Sequence, residues 1–166
     1  PGAPSISGIS PNTAVVGVAT GPLTISGTAL GTATVTIDGV PVTPTSNTAT
    51  SIVLPTQTFS TSGTKTVQVT TAGGSTTSTI SVDNPAPVLS GFTPNNATAG
   101  AAQLTLTVTG LGFIASSVVK WNGTALTTTF VSATQLTASV PAGNVTAAGT
   151  ANVTVTNVTD ATDSNA

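Results

Sequence analysis

The 166-residue sequence predicts an all-β chain of two tandem β-sandwiches, residues 1–84 and 85–166, the second lacking a last strand of its own. Three observations predict it. Apolar residues alternate with Thr or Ser, the period-two signature of strands buried on one face, and no segment carries a 3.6-residue stripe. Asp38-Gly39 and Asn122-Gly123 are tight-hairpin signals, because both central positions of such a turn favour positive φ. An internal repeat maps the first half onto the second: PSISGISPNTAVVG (Pro4 to Gly17) matches PVLSGFTPNNATAG (Pro87 to Gly100) at an offset of 83.

The repeat extends along the chain. The same offset carries Leu23, Ile25, Gly27 and Leu30 onto Leu106, Val108, Gly110 and Phe113. After one inserted residue, Val35, Ile37 and Gly39 fall on Val119, Trp121 and Gly123; after two more, Gly63, Val67 and Val69 fall on Gly149, Val153 and Val155. In the first copy Leu23/Ile25, Val35/Ile37 and Val67/Val69 are therefore inward pairs, with Thr on the solvated face, where its branched carbon suits the pleat. Pro41 and Pro44 cannot donate ladder hydrogen bonds, so they mark an edge. After the Gly73-Gly74 turn a last strand runs from Ser75 to Val82, with Ile80 and Val82 inward. The joint Asp83-Asn84-Pro85-Ala86-Pro87 holds two prolines in five residues, which predicts a short, stiff connection and an extended line of domains. In the second copy Leu104/Leu106/Val108, Val119/Trp121 and Val153/Val155 alternate, and Asn144 to Gly149 has room for one helical turn.

The end of the second copy is the sharpest feature. The offset of 86 places the counterpart of Ile80 at Ala166 and that of Val82 beyond it. A sandwich short of a strand exposes edges and part of its core, which favours pairing with another chain. Three readings compete: a cut from a longer array, a strand donated by a neighbouring subunit in a head-to-tail polymer, or a gap covered by Val158 to Ala166. A donor is the Pro1 to Ser10 segment of the next copy, and heterologous contacts of that kind build filaments when they do not close. Pro4, Ile6, Val153, Val155, Val158 and Ala166 are the inter-subunit contact residues this predicts. A start at Pro1 without any methionine predicts a processed chain or a fragment.

Charge restricts chemistry. Lys65, Lys120, Asp38, Asp83, Asp160 and Asp163 are the charged residues, 4% of the chain, against about 25% in ordinary soluble domains. Thr makes up nearly a quarter, and so uncharged a surface favours self-association or a coat of glycan. Disorder is not predicted, since the chain is apolar and rich in β-branched residues. Without His, Cys, Glu, Arg or Tyr, proton transfer has only four Asp and two Lys to use, and no Ser or Thr has a neighbouring base. The expectation is no enzyme and no cofactor. No metal site is expected either: transition metals need His or Cys, and Asp160-x-x-Asp163 reads as a solvated pair rather than part of a calcium site. Nucleic acid is excluded as a partner because two lysines cannot supply the phosphate contacts, and membrane insertion because no apolar run approaches ~18 residues.

Weaker signals are set against simpler readings. Trp121 can stack on a sugar ring if exposed, but it shares the inward phase of Val119 and reads as core; Phe59 and Phe130 have no clear phase. Lys65 and Lys120 raise a Lys–Asp or Lys–Asn amide cross-link, which needs a buried lysine beside a carboxyl group, and Lys120 alternates to the solvent side. Five Asn-x-Thr sequons begin at Asn96, Asn122, Asn144, Asn152 and Asn157, of which chance alone supplies several in so hydroxyl-rich a chain.

The opening Pro-x-hydrophobic-x-Gly-hydrophobic-Thr-Pro from Pro87, LTLTVTGLGF, VVKWNG and LTASVP, in that order and spacing, resemble the IPT/TIG domain, an immunoglobulin-like sandwich. The second copy is the closer match; the first has Ile37 and Leu30 in place of the Trp and Phe, so its likeness rests on the repeat. The resemblance implies a modular, non-catalytic domain of the kind found in tandem in bacterial surface and secreted proteins. Fold likeness does not choose a job. The combined expectation is a non-catalytic extracellular structural or adhesive protein, favoured as the subunit of a bacterial surface filament assembled by strand or sheet-edge sharing, with copies of itself or neighbouring Ig-like domains as partners. The alternatives are an accessory module, with carbohydrate as a compatible ligand, of a secreted polysaccharide-acting enzyme, or a spacer in a longer surface stalk.

Overall fold

A computed structural model describes residues 2–158. The chain is built from strands and divides into two compact units, Pro1–Asn84 and Pro85–Ala166.

In the first unit the strands are β1 (Ser5–Ser10), β2 (Thr13–Val15), β3 (Ala19–Thr20), β4 (Leu23–Thr28), β5 (Thr34–Ile37), β6 (Val40–Val42), β7 (Ser46–Asn47), β8 (Ser51–Leu54), β9 (Gln57–Thr58), β10 (Gly63–Thr71) and β11 (Gly74–Asp83). One sheet has the order β1-β4-β8-β7 and faces a second of order β2-β11-β10-β5-β6, with β3 and β9 as a small pair. Leu23, Ile25, Val35, Ile37, Val67, Val69, Ile80 and Val82 point inward and form one apolar core with Leu30, Ile52, Leu54 and Phe59. Each inward residue is separated from the next by one outward residue, as the pleat requires. Asp38 (φ 49°) and Gly39 (φ 81°) make the tight turn between β5 and β6, with the Pro-bearing β6 at the sheet edge. β11 is long, pairing along its whole length with β10 and also with β2, which runs parallel to it.

The second unit repeats this plan with β12 (Val88–Thr93), β13 (Leu104–Leu111), β14 (Ser117–Trp121), β15 (Thr124–Ala125), β16 (Thr127–Ser132), β17 (Gln135–Val140) and β18 (Val153–Asn157). One sheet runs β12-β13-β17-β16 and the other β15-β14-β18. Leu106, Val108, Phe113, Val119, Leu136, Ala138, Val140, Val153 and Val155 form its core. Small details recur at the repeat offset. A bulge interrupts β1 against β4 between Ile6 and Gly8, and β12 against β13 between Leu89 and Gly91. Gly17 N–H donates to Phe59 O at 2.9 Å, and Gly100 N–H to Val145 O at 2.7 Å. A Cβ on Gly27 would collide with the backbone of Ser5, and one on Gly110 with Val88 O and the Phe113 ring, so both positions need glycine for the first strand's close approach.

Two sequence expectations need adjustment, and the phase left open for two Phe residues is settled. The helical turn in the second unit is a 3₁₀ turn at Ala142–Val145, set earlier than Asn144–Gly149 because Pro141 (φ −60°) starts it and its carbonyl accepts from Asn144 N–H. Trp121 packs against the core from the inward side yet is only half-buried, whereas the matching Ile37 is buried among side chains that include Ile80 and Val82. Phe59 is buried and Phe130 exposed.

Candidate functional site: an open slot beside the last strand

The strongest irregularity is at β18. In the first unit the matching strand β10 lies between β5 and β11. In the second unit β14 covers one side of β18, and among the described residues nothing pairs with the other. Asn122 N–H donates to Asn152 O and Val158 N–H to Ser116 O, so even-numbered residues bond towards β14. The alternation of an antiparallel ladder then turns the N–H and C=O of Val153 and Val155 to the open side. An unpaired edge of this kind templates another strand.

Beside that edge lies a cleft of about 400 Å³ in the second unit. Its floor is apolar: Phe92, Leu104, Leu106, Trp121 and Val153. Asn95, Asn96, Asn122 and Asn144 also line it, with the small residues Ala147, Ala148, Gly149 and Ala151. Among the described residues no charged side chain lines it. The register of β10 with β11 explains the shape. Val82 lies opposite Gly63 and Ile80 opposite Lys65, positions that the 86-residue offset carries to Gly149 and Ala151. Both line the cleft, so the repeat sets the cleft against the positions that face Ile80 and Val82 in the first unit.

The other flank differs in the same sense. In the first unit β2 lies against β11, Ala14 is buried, Ser81 N–H donates to Asn12 O at 3.0 Å and Val16 N–H to Asp83 O at 2.9 Å. The matching residues Asn96, Ala97 and Thr98 form no strand and are exposed.

The residues predicted as inter-subunit contacts fall in different settings. Val153 and Val155 are buried in their own core, with their backbone on the open edge, and Val158 just beyond is exposed. Pro4 is buried and Ile6 half-buried, both in the first unit. Ala166, Asp160, Asp163 and the proposed cover from Thr159 onward lie outside the described residues. The structure thus gathers Val153, Val155 and Val158 at one edge. Sequence reasoning missed the Asn residues of the cleft and the Asn96–Thr98 flank; their signal was the repeat itself, which maps Asn96–Thr98 onto β2, the strand beside β11 in the first unit.

Other candidates resolve locally. Among the described residues no three His, Cys, Asp or Glu side chains are grouped to hold a metal, and no helix is long and apolar enough to cross a membrane. Among the described residues the lysine beside a carboxylate is Lys65: its Nζ stands 3.5 Å from Asp38 Oδ2 and donates to Thr61 Oγ1 at 2.8 Å. The Lys65 side chain is 13% exposed but that of Asp38 45%, so the carboxylate stands in water and not in the buried setting a cross-link needs. Of the five sequons, Asn157 is fully buried with its amide already bonded, while Asn96, Asn122 and Asn144 border the cleft.

The comparisons with known proteins bear on the fold. No curated protein matches the chain. A crystal structure described as being with xylogluco-oligosaccharide superposes with a TM-score of 0.56 at 20% identity, over 92% of this chain and 40% of that one. The surface glycan-binding protein PbSGBP-B from Prevotella bryantii superposes at 0.53 with 16% identity, over 85% and 37%. The plexin A4 extracellular region gives 0.43 at 16% identity, over 88% and 13%. This chain therefore spans two fifths or less of the length of these proteins, and at such identity the likeness is one of fold. The IPT/TIG domain family matches residues 87–166 directly. With its two facing sheets and the motifs running from Pro87 to Pro141, the second half of the chain is an IPT/TIG domain, an immunoglobulin-like β-sandwich.

Proposed function

We propose that the chain is a non-catalytic structural element of an extracellular surface, joined to its neighbours by strand sharing at β18 and favoured as the subunit of a filament. The observation that carries this reading is the slot: an apolar cleft, and on β18 a backbone edge unpaired among the described residues, where the first unit has β11. Leaving that apolar surface in water is unfavourable, and an added strand would cover it while satisfying the edge. The scarcity of charge supports the same reading, because little repulsion keeps copies apart. The absence of His, Cys, Glu, Arg and Tyr supports a non-catalytic role. Electron microscopy of the purified chain at rising concentration tests it: fibres or head-to-tail oligomers are expected, and uniform monomers at high concentration would remove the filament.

A second reading has its own observation. Trp121, half-buried and lining a cleft with four Asn residues, is an arrangement suited to stacking on a sugar ring while donating to its hydroxyls. It makes the chain an accessory glycan-binding module. A saturable shift of Trp121 emission with xyloglucan oligosaccharides, without assembly, would replace the structural reading by this one.

A further inference from the structure

We infer that an N-linked sugar on Asn157 and the fold of the second unit exclude each other, so that the chain is made where no transferase reads Asn-x-Thr before folding, and its surface sequons stay bare. Nothing in this depends on strand sharing or on the cleft.

The structure sorts the five sequons into two kinds. Asn96, Asn122, Asn144 and Asn152 are exposed. At Asn122 the bond from Asn152 N–H is accepted by Oδ1, not by the nitrogen a sugar would take. Asn157, which begins Asn157-Val158-Thr159, is 0% exposed. Both polar atoms of its side chain are in use: Oδ1 accepts from Ser117 Oγ at 2.6 Å, and Nδ2 donates to Pro85 O at 2.7 Å and to Gly112 O at 2.8 Å. These partners lie 40, 72 and 45 residues away in sequence, so the setting exists only in the folded unit.

An asparagine amide takes a sugar by bonding Nδ2 to its anomeric carbon. The bond from that carbon to a phosphate oxygen of the activated donor breaks, the phosphate leaves with the electron pair, and one amide hydrogen departs as a proton. A single N–H remains, which cannot serve both Pro85 O and Gly112 O. One buried carbonyl loses its partner, and a bulky ring must enter a close-packed site that has no face to solvent. An unfolded chain meets neither obstacle, because in it Asn157-Val158-Thr159 is an ordinary acceptor sequence. The order of events therefore decides the outcome. Sugar first leaves the second sandwich unable to close; folding first leaves the nitrogen out of reach. In a compartment that reads the sequon on the entering chain, part of the product is lost. An uncharged, hydroxyl-rich surface suits either contact between copies or a coat of sugar, and a bare chain has no coat of the N-linked kind.

The test sends the full chain through the secretory pathway of a eukaryotic host, whose transferase reads Asn-x-Thr, and maps sugar by glycopeptide mass spectrometry in secreted and in retained chains. Sugar on Asn157 is expected in the retained pool and in fewer than about one in a hundred secreted chains, the ratio implied by orphaning buried hydrogen-bond partners. Thr159→Ala deletes the acceptor sequence and keeps the Asn157 amide, so it should raise the secreted yield by the share lost to modification. Thr98→Ala, which deletes the exposed Asn96 sequon, should not raise it. Chain from its natural source should carry no sugar on any of the five asparagines. Secreted chain that carries sugar on Asn157 and unfolds at the same midpoint as bare chain overturns the exclusion. An unchanged yield for Thr159→Ala, or Asn157 bare in both pools, overturns the inference as well, since modification then costs the chain nothing. Sugar on Asn96, Asn122, Asn144 or Asn152 in chain from its natural source overturns the statement about where it is made.

Discussion

The two sandwiches place matched residues in opposite environments. Ala14 is buried and Ala97 exposed; Ile37 is buried and Trp121 half-buried. The residue types barely explain this, since Trp is the larger apolar group and Ala is common to both. The neighbours differ: β11 stands between β2 and β10 in the first unit's second sheet, and the described part of the second unit has no counterpart. Burial at these positions is therefore a property of one covering strand, and altering that strand should make one sandwich behave like the other.

The largest effect is expected from removing the cover in the first unit. Val82→Asp places a carboxylate in the buried cluster that holds Val67 and Ile80, directly opposite Gly63, which offers it no side chain. Burying such a charge is among the few single changes that cost about 4 kcal/mol or more, a large share of a small domain's stability. Because Trp121 lies in the second unit, its fluorescence and the circular dichroism of the whole chain separate the two transitions. The dichroism should lose its first-unit component or show it melting much earlier, while the Trp121 transition stays in place. A Trp121 transition that moves with it would show that the units do not unfold independently.

Much of this comparison is legible in the sequence, and the reason is the repeat. Val67/Val69 and Val153/Val155 share one period-two pattern, and it correctly gives inward faces, because a strand's alternation depends only on its own pleat. The hairpins at Asp38-Gly39 and Asn122-Gly123 are legible for the same local reason. The exposure of Trp121 is not: phase gives the side of the sheet, and what lies opposite is set by residues far away in sequence. The two-residue β3 and β9 and the turn at Ala142–Val145 escape periodicity because they are shorter than its window. Asn157 is missed for another reason, since its amide serves backbone carbonyls brought there by the fold.

Asn157 gives the intermediate effect. It is fully buried; its Oδ1 accepts from Ser117 Oγ at 2.6 Å, and its Nδ2 donates to Pro85 O at 2.7 Å and Gly112 O at 2.8 Å. The counterpart Thr71 only accepts from Gly73 N–H at 3.2 Å near the surface. Asn157→Ala leaves a buried hydroxyl and two carbonyls without this partner, an expected loss of about 2–3 kcal/mol. Thr71→Ala should stay within about 0.5 kcal/mol, as surface changes do. Denaturant unfolding of the two variants, read at Trp121 and by dichroism, measures both. Equal small losses would mean that water enters and replaces the Asn157 amide.

The smallest effect is expected where the two units differ by one charge in the same turn. Asp38 and Asn122 hold φ of 49° and 50°, each followed by a glycine near 80°. Each also accepts a backbone N–H through Oδ1 at 2.8 Å, from Thr66 and from Asn152. Asn and Asp both tolerate this left-handed conformation, so exchanging them preserves the turn and its hydrogen bond. What Asp38→Asn removes is the Lys65 ion pair, and Asp38 is nearly half-exposed, where such pairs contribute about 0–1 kcal/mol before screening by salt. Asp38→Asn should therefore change stability by no more than about 0.5 kcal/mol in low salt and by still less at high ionic strength. The first unit's unfolding midpoint in dilute and in molar salt decides it. A loss well above 1 kcal/mol that survives molar salt would mean that the carboxylate supports the turn through its stronger hydrogen bond to Thr66 N–H, and Asn122→Asp should then stabilise the second unit by a similar amount.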